Sequence, residues 1–290
     1  MSLGRGLLSL GFLFLLGCST SGKIQEGAQT PTSQTKGAEI RQVEVQGHRG
    51  TRGTHPENSL IAFEEAVRVG VDVLELDLGV TKDGVLVITH DPYIDPEQCT
   101  TQDRKRLKDK IPLATLTLEQ VKTFRCGELA HPRFPRQKKI LVRIPTLREF
   151  LVALSTWPGG HQVRLNIETK IAPGYPEMTP EPKAYAKMVV DILREFKQIP
   201  KTTLQSFDHR TLSEAKLLEP SLTLSPLFES NYLNFTLVAQ DLGAKVISPN
   251  HLWITKEEVA KAHAAGIRVI PWTLNDEKEW ARALDFNFDG

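Results

Sequence analysis

The chain has 290 residues, of which 40% are hydrophobic, and its 36 Lys and Arg side chains nearly balance 35 Asp and Glu. This length allows one large domain or two small ones with a substantial apolar core. The formal net charge is only +1. Proteins that bind nucleic acids carry an excess of basic residues that neutralises the phosphate backbone, so we expect no nucleic-acid partner. A site for an anionic ligand would have to be built locally.

The N-terminus, residues 1–18, predicts a lipoprotein signal peptide. Residues 1–5 carry one positive charge, and residues 6–16 are an apolar run that is too short to cross a bilayer, which takes roughly 20 residues. The run ends in Leu-Leu-Gly followed by Cys18, which resembles the bacterial lipobox, where the cysteine is lipidated. We expect an exported lipoprotein of the cell envelope, located on the periplasmic side of a membrane. Its only expected contact with the membrane is this lipid anchor. Ser19 favours the outer membrane in a Gram-negative organism, and an ordinary signal peptide is the alternative.

Residues 19–40 predict a flexible tether, because Ser, Thr, Gln, Gly and Lys dominate and too little apolar surface is present to offset the entropy of ordering. The folded part begins near residue 41 and contains Cys99 and Cys126. In an oxidising compartment these two cysteines are candidates for a disulfide, which would contribute roughly 3–4 kcal/mol to stability. Two free thiols are the alternative.

From residue 43 onward, β-rich runs alternate with helical patterns. Strands are predicted at residues 43–46, 71–78, 85–89, 163–168, 203–206, 222–227, 245–248 and 268–273. Helices are predicted at residues 59–69, 183–196, 208–218, 232–242, 255–265 and 276–284. Repeated βα units with buried strands predict a parallel sheet, and seven or more units in about 250 residues fit a TIM (β/α)₈ barrel better than a doubly wound sheet.

Two segments depart from this alternation within the predicted barrel at residues 41–290. Residues 92–143 are rich in proline and charge, and we interpret them as an insertion on the barrel rim. The chain then stops at residue 290, where an eighth strand would begin. We therefore expect a barrel in which the final strand is missing, either because the sequence is truncated or because the barrel closes imperfectly.

Two carboxylates lie two residues apart on a predicted strand, at Glu75 and Asp77. The period of two places both on one face, and a covered barrel strand would make this arrangement strongly unfavourable without a counter-charge. Hard oxygen ligands suit Ca²⁺ or Mg²⁺, so we predict a metal site, with an edge strand in water as the alternative. Glu168 ends the next predicted barrel strand and is a candidate third ligand of the metal. Lys170 follows two residues later on the same face. Taken alone, Glu168 and Lys170 would more often be an ion pair on the surface.

Two histidines, His48 and His90, each follow a predicted strand and are flanked by charged residues. Imidazole titrates near neutrality, so the pair is a candidate for general acid and base. Arg49 lies between glycines and offers a planar fork for phosphate oxygens. The spacing alone leaves catalytic and structural roles equally open.

Several short motifs follow one another in a defined order. They are His48-Arg49-Gly50, Pro56-Glu57-Asn58-Ser59, residues 70–77, residues 81–84 and His90-Asp91-Pro92, with weaker similarity at residues 166–170, 205–208 and 271–275. In this order the motifs resemble the glycerophosphodiester phosphodiesterase family over residues 43–290. The resemblance implies a TIM barrel, an essential divalent metal, and hydrolysis of a small glycerophosphodiester to glycerol 3-phosphate and an alcohol.

The resemblance also implies a role for each matching residue. The implied roles are general base and acid for His48 and His90, metal ligands for Glu75, Asp77 and Glu168, phosphate contacts for Arg49 and Lys170, ordering of the site or completion of the metal shell for Glu57, and an apolar wall for Trp272. For Trp272 the alternative is a structural role as an aromatic residue of the barrel core. Two rival functions are a related metal-dependent phospholipase that cleaves phosphoinositides or sphingomyelin, and a lipoprotein that binds phosphodiesters without cleaving them.

Overall fold

The structure, a computed structural model, describes residues 43–231 and 233–290. The predicted signal peptide with Cys18 and the predicted tether at residues 19–40 lie outside the described residues and stay predictions. The described residues form one compact unit. Within the described ranges, none of the helices combines the length and apolar character that crossing a membrane requires.

The described residues form twelve strands and eight α-helices. The strands are β1 (Gln46–His48), β2 (Val73–Val80), β3 (Leu86–Ile88), β4 (Tyr93–Ile94), β5 (Cys99–Thr100), β6 (Ile111–Pro112), β7 (Arg125–Cys126), β8 (Arg164–Thr169), β9 (Thr202–Ser206), β10 (Thr223–Phe228), β11 (Val246–Pro249) and β12 (Arg268–Val269). The helices are α1 (Leu60–Val69), α2 (Leu118–Val121), α3 (Leu147–Thr156), α4 (Pro182–Glu195), α5 (His209–Leu218), α6 (Phe235–Asp241), α7 (Lys256–Ala264) and α8 (Glu277–Phe286).

Seven of these strands form a curled parallel sheet in the order β1-β2-β8-β9-β10-β11-β12. The helices cover its outer face, which explains why every residue of β2 is buried. The predicted parallel barrel is therefore confirmed. The predicted strand at residues 85–89 has a different place, because β3 pairs antiparallel with β2 through Leu78 and Ile88 and stays off the barrel path.

The barrel is bridged where an eighth strand would complete it. No strand follows β12 in the described part of the chain, as the sequence predicts. The backbone N–H of Asp289 donates to the carbonyl of Val269 (2.8 Å), and the Asp289 carbonyl accepts from the N–H of Glu44 (3.0 Å). A single residue thus joins the last strand to the segment before the first, and the neighbouring Phe288 is buried in the core.

Local sequence signals explain where the helices begin and end. The Ser59 side chain caps α1 by accepting from the N–H of Ala62, and Gly70 ends that helix with a φ of 88°, a left-handed conformation that costs glycine little. Helix α3 was not predicted. Its signal was present as a capping box, in which the Thr146 side chain and Glu149 satisfy each other's backbone N–H groups.

The segment predicted as a rim insertion forms a small subdomain with a core of its own. Two short antiparallel pairs, β4 with β6 and β5 with β7, hold it together. Leu113, Val121 and Phe124 are buried in its apolar cluster. Cys99 and Cys126 are directly paired across β5 and β7 and joined by a disulfide with an Sγ–Sγ distance of 2.02 Å.

Removal of this disulfide is expected to destabilise the insertion. The bridge closes a loop with a sequence separation of 27, so the Cys99→Ala/Cys126→Ala variant should lose about 3–4 kcal/mol of unfolding free energy. Urea unfolding with and without reductant measures the loss, and the double variant is the control because reductant should leave it unchanged. The prediction would be contradicted if the oxidised and the reduced parent protein unfolded at the same urea concentration.

Candidate active site

Most of the predicted site residues converge at the carboxyl ends of the first three barrel strands, whereas His90 follows β3 and Trp272 follows β12. His48 is the last residue of β1 and lies in register with Glu75 of β2. Asp77, two residues further along β2, lies in register with Glu168 of β8. Lys170 follows directly after β8. Parallel pairing therefore brings together side chains that are far apart in the sequence.

Three buried carboxylates form one cluster. Glu75, Asp77 and Glu168 each offer an oxygen within 4.8 Å of those of the other two, and their exposed fractions are 4%, 0% and 5%. The structure thus brings together the three residues that the sequence predicts as metal ligands. An inward-facing acidic cluster of this kind is strongly unfavourable without positive charge beside it.

Two basic side chains supply part of that charge. The Lys170 Nζ lies 3.0 Å from Asp77 Oδ1 and 2.5 Å from Glu168 Oε1. Arg49 places its Nε 3.2 Å from Asp77 Oδ2 and its Nη1 2.8 Å from Glu57 Oε1. The Glu57 side chain is only 4% exposed. Four buried carboxylates thus surround two cations at this end of the barrel.

The pKa values of the acids show where negative charge is left uncompensated. Burial, together with repulsion from Asp77 and Glu168, raises the pKa of Glu75 well above its usual value. Burial also raises the pKa of Glu168 to about 7, although Lys170 opposes the change. For Asp77 burial acts in the same direction, but the charges of Lys170 and Arg49 outweigh it and hold the pKa well below its usual value. A divalent cation would supply the charge that Glu75 and Glu168 lack, so the residues fit such an ion.

His48 is oriented by one contact from its own loop and by another from the loop after β12. Its Nδ1 lies 3.0 Å from the Thr273 hydroxyl and 3.2 Å from an Arg52 guanidinium nitrogen. Its Nε2 faces the acidic cluster, 3.7 Å from Glu75 Oε2. Burial and the charges of Arg52 and Arg49 hold the pKa of His48 well below its usual value. His48 is therefore neutral near pH 7, which is the form that a general base needs.

His90 follows the hairpin strand β3 and is paired with its own neighbour. Its Nδ1 lies 3.1 Å from Asp91 Oδ1, and its side chain is 33% exposed. Although burial opposes the change, the hydrogen bond and charge of His90 lower the pKa of Asp91. His48 faces the acidic cluster at Glu75, and His90 lines the same small cavity as Asn58, whose amide binds Asp77. The two imidazoles therefore stand around one acidic cluster. Asp91 thus orients the second ring, a role that was not predicted from the sequence.

Two amides that hold the acids in place were also missed. The Asn58 amide donates to Asp77 Oδ2 (2.9 Å), and its backbone N–H donates to the carbonyl of Arg49. The Gln205 amide donates to Glu75 Oε1 (3.0 Å). Both residues stand within motifs that the sequence analysis used for the family resemblance, and that position was the signal for them. Hydrogen-bonded partners of this kind orient ligands and tune their basicity.

The insertion covers one side of the site through Glu57. His131 places Nε2 3.8 Å from Glu57 Oε2, and the Gln98 amide lies 3.5 Å from Glu57 Oε1. The disulfide partners Cys99 and Cys126 line the small cavity that Glu57, His90 and Asp91 also line. The insertion is therefore part of the wall of the site.

Aromatic side chains form the opposite wall of the mouth. The Trp272 indole N–H donates to the carbonyl of Ser248 (3.0 Å). Its ring stands edge to face against Phe207, with ring centroids 5.7 Å apart. Trp272 is half-buried and Phe207 is exposed. The structure thus places Trp272 at the mouth beside a second aromatic residue that the sequence analysis did not single out.

Replacement of Asn58 by alanine is expected to weaken both the site and the fold. The amide is buried, and residue 58 has a φ of 53°, which alanine adopts less readily than asparagine. We expect Asn58→Ala to lose about 1–3 kcal/mol of stability and to lower kcat/KM by about 10–100-fold. Thermal unfolding and steady-state kinetics measure both effects. The exposed Asn231→Ala is the matched control, and equal kinetics in the two variants would remove Asn58 from the site.

A parallel barrel that gathers buried carboxylates and imidazoles at the carboxyl ends of its strands has the architecture of a barrel enzyme. Residues 48–290 match the glycerophosphoryl diester phosphodiesterase family. The chain belongs to this family, and it is a phosphoric diester hydrolase.

Individual relatives agree with this assignment. The chain is 28% identical over 250 residues to a glycerophosphodiester phosphodiesterase of Caldanaerobacter subterraneus, covering 85% of this chain and 91% of that protein. A solved structure of a candidate glycerophosphoryl diester phosphodiesterase from Silicibacter pomeroyi has a TM-score of 0.81 at 28% identity, covering 87% of this chain and 89% of that one. An Oleispira antarctica phosphodiesterase solved with the product sn-glycerol-3-phosphate shares the fold, with a TM-score of 0.69 at 22% identity over 85% and 90% of the two chains.

Proposed function

We propose that this enzyme hydrolyses glycerophosphodiesters to sn-glycerol 3-phosphate and an alcohol in a reaction that requires a divalent cation. The observation that carries the proposal is the buried cluster of Glu75, Asp77 and Glu168 beside two imidazoles. Membership of the family supports the reaction class. The product bound to the Oleispira antarctica phosphodiesterase supports a small glycerol phosphate ligand for this fold.

Glu75, Asp77 and Glu168 would hold the cation, with Glu57 as a further candidate ligand. Carboxylate oxygens suit Ca²⁺ or Mg²⁺, and the raised pKa of Glu168, about 7, is what a bound cation would reverse. When bound, such an ion would act as a Lewis acid on the phosphoryl oxygens.

Arg49 and Lys170 would bind the phosphoryl oxygens of the substrate. Both side chains already contact Asp77, so their positive ends are fixed in place before a substrate arrives. Fixed donors of this kind stabilise the charge that develops in the transition state. Trp272 and Phe207 would support the glycerol or the leaving alcohol with apolar surface.

His48 and His90 would carry the protons. One imidazole takes a proton from the nucleophile, which is water or the neighbouring glycerol hydroxyl, and the other gives a proton to the leaving alkoxide. Attack by the hydroxyl would form a cyclic phosphate, which water would then open to glycerol 3-phosphate with the two imidazoles in exchanged roles. The contacts of His48 with Arg52 and Thr273, and of His90 with Asp91, keep the two rings oriented.

The test is an assay on glycerophosphocholine with and without a chelator, followed by addition of Ca²⁺ or Mg²⁺. We expect release of glycerol 3-phosphate that stops with chelator and returns with one of the two ions. A panel of soluble and membrane diesters separates the main proposal from phosphoinositide or sphingomyelin cleavage. Substrate binding without any release of product would assign the chain as a binding protein.

We also propose that the enzyme is exported and anchored to a membrane of the cell envelope through lipidated Cys18. The signal-like residues 1–18 support this proposal. Labelled palmitate fed to cells should be incorporated into the parent protein and not into a Cys18→Ser variant, which should also leave the membrane fraction. Equal labelling of the two proteins would exclude the anchor.

A further inference from the structure

We propose that the carboxyl-end face of the barrel, around the active site, docks on the surface of an anionic lipid bilayer. Phosphodiester head groups would then be presented directly to the buried site. The proposal rests on the proposed function, because it states where the enzyme meets a diester. Three independent features of the described residues support it.

The first feature is an uneven distribution of exposed apolar side chains. Thirteen large hydrophobic residues are exposed in the described part of the chain, and seven of them lie in loops that follow barrel strands or in the first turns of the helices after those loops. These seven are Tyr175, Phe207, Leu233, Leu237, Leu252, Trp253 and Trp280. In a parallel barrel such segments all lie at the carboxyl end, which is the face of the active site.

The second feature is the chemical type of these side chains. All four exposed aromatic residues of the described ranges belong to this set of seven. The six exposed large hydrophobic residues outside the set are all Val or Leu. Leu252 and Trp253 stand side by side in the loop after β11, 68% and 46% exposed. Trp and Tyr concentrate at membrane–water interfaces, because an apolar ring with a polar edge suits the head-group region. Of these four, only Phe207 belongs to the proposed substrate wall, so a purely water-soluble substrate gives no reason for Tyr175, Trp253 and Trp280.

The third feature is the charge of the rim insertion. Residues 92–143 contain twelve Lys and Arg but only six Asp and Glu, although the whole chain carries a net charge of only +1. The exposed basic stretch at residues 133–139 is attached to the mouth, because the Gln137 amide donates to the carbonyl of Arg52 and the Lys138 N–H donates to that of Thr54. Basic residues beside an apolar rim are attracted to anionic head groups.

The predicted lipid anchor would favour the same contact. A tether of the composition of residues 19–40 has a root-mean-square reach on the order of 25 Å. It would hold the barrel near the bilayer and raise the effective concentration of lipid at the rim. The anchor sets no orientation by itself, so orientation would depend on the aromatic and basic rim.

Two variants of the full chain test the rim, each with a matched control on the opposite end of the barrel. Leu252→Ser/Trp253→Ser removes the apolar pair. Its control, Leu217→Ser/Leu284→Ser, removes two leucines that are 77% and 67% exposed near the C-terminal ends of helices. Arg136→Gln/Lys139→Gln removes two rim charges, and Lys245→Gln/Lys261→Gln is its control. Hydrolysis is measured on glycerophosphocholine in solution and on lysophosphatidylcholine in phosphatidylcholine vesicles with phosphatidylglycerol.

We expect each rim variant to cleave the vesicle substrate about tenfold more slowly than the parent, with the soluble substrate and both controls unchanged. The effect of the charge variant should disappear in vesicles without phosphatidylglycerol. Equal vesicle rates in rim and control variants would overturn the proposal. So would a dimer that forms without vesicles and is lost in Leu252→Ser/Trp253→Ser, since it would assign the rim to a second copy.

Membrane binding, measured without catalysis, distinguishes a failure of the docking proposal from a failure of the proposed function. Tryptophan fluorescence of the full chain should be quenched by vesicles of brominated phosphatidylcholine with phosphatidylglycerol, and less so in Leu252→Ser/Trp253→Ser than in Leu217→Ser/Leu284→Ser. Quenching without turnover of glycerophosphocholine would contradict the proposed function and leave the docking face intact. Turnover without quenching would overturn the docking face alone.

Discussion

Replacement of Asp77 by asparagine should lower kcat/KM by about 10³-fold or more, because the change removes several kcal/mol of transition-state stabilisation. The side chain is completely buried and contacts Lys170, Arg49 and Asn58 at once. Asparagine keeps its shape but removes the charge that balances two buried cations and contributes to the proposed cation site. Calorimetric titration with Ca²⁺ and Mg²⁺ should show weaker binding alongside the kinetic loss.

The fold itself must be checked in this variant, since breaking a buried ion pair costs about 3–5 kcal/mol. Circular dichroism and thermal unfolding separate a folded, inactive protein from an unfolded one. Glu168→Gln is a second variant of the proposed cation site, in case Asp77→Asn does not fold. Asp241→Asn is the control, because that carboxylate is exposed at the end of α6. Full activity and unchanged cation affinity in Asp77→Asn and Glu168→Gln would contradict the proposed cation site.

Substitution of either His48 or His90 by alanine should lower turnover by about 10²–10⁴-fold and leave cation affinity nearly unchanged. His48 lies beside the acidic cluster without being one of its three carboxylates, and His90 is held by Asp91. A loss of kcat with retained cation binding therefore distinguishes proton transfer from cation binding. Steady-state kinetics on glycerophosphocholine and calorimetric titration with the cation give the two readouts.

His161→Ala is the matched control for this pair, because that histidine is exposed. Its activity should equal that of the parent enzyme. If His48→Ala or His90→Ala kept the same rate as His161→Ala, that ring would have no part in the proton transfers. Loss of cation binding in either variant would instead assign the ring to the support of the acidic cluster.

Much of the fold could be predicted because its signals are local. Alternating strand and helix patterns predicted the seven parallel strands, and the spacing of Glu75 and Asp77 predicted that both carboxylates share one face of β2. One error arose where a local pattern has two outcomes. The run at residues 85–89 is a strand in either case, but only its antiparallel pairing with β2 shows that it lies off the barrel. The short apolar helix α3 was missed although its capping box is a local signal.

The sequence alone determined the order of the βα units, the acids and imidazoles at strand ends, and the basic insertion, because periodicity, residue type and charge are properties of neighbouring residues. Tertiary structure decided which of these side chains meet. Only the register between β2 and β8 places Glu168 beside Asp77, and only packing across the mouth brings Thr273 to His48. Such contacts join residues separated by about a hundred positions or more, so their geometry depends on the whole barrel, and no local pattern contains it.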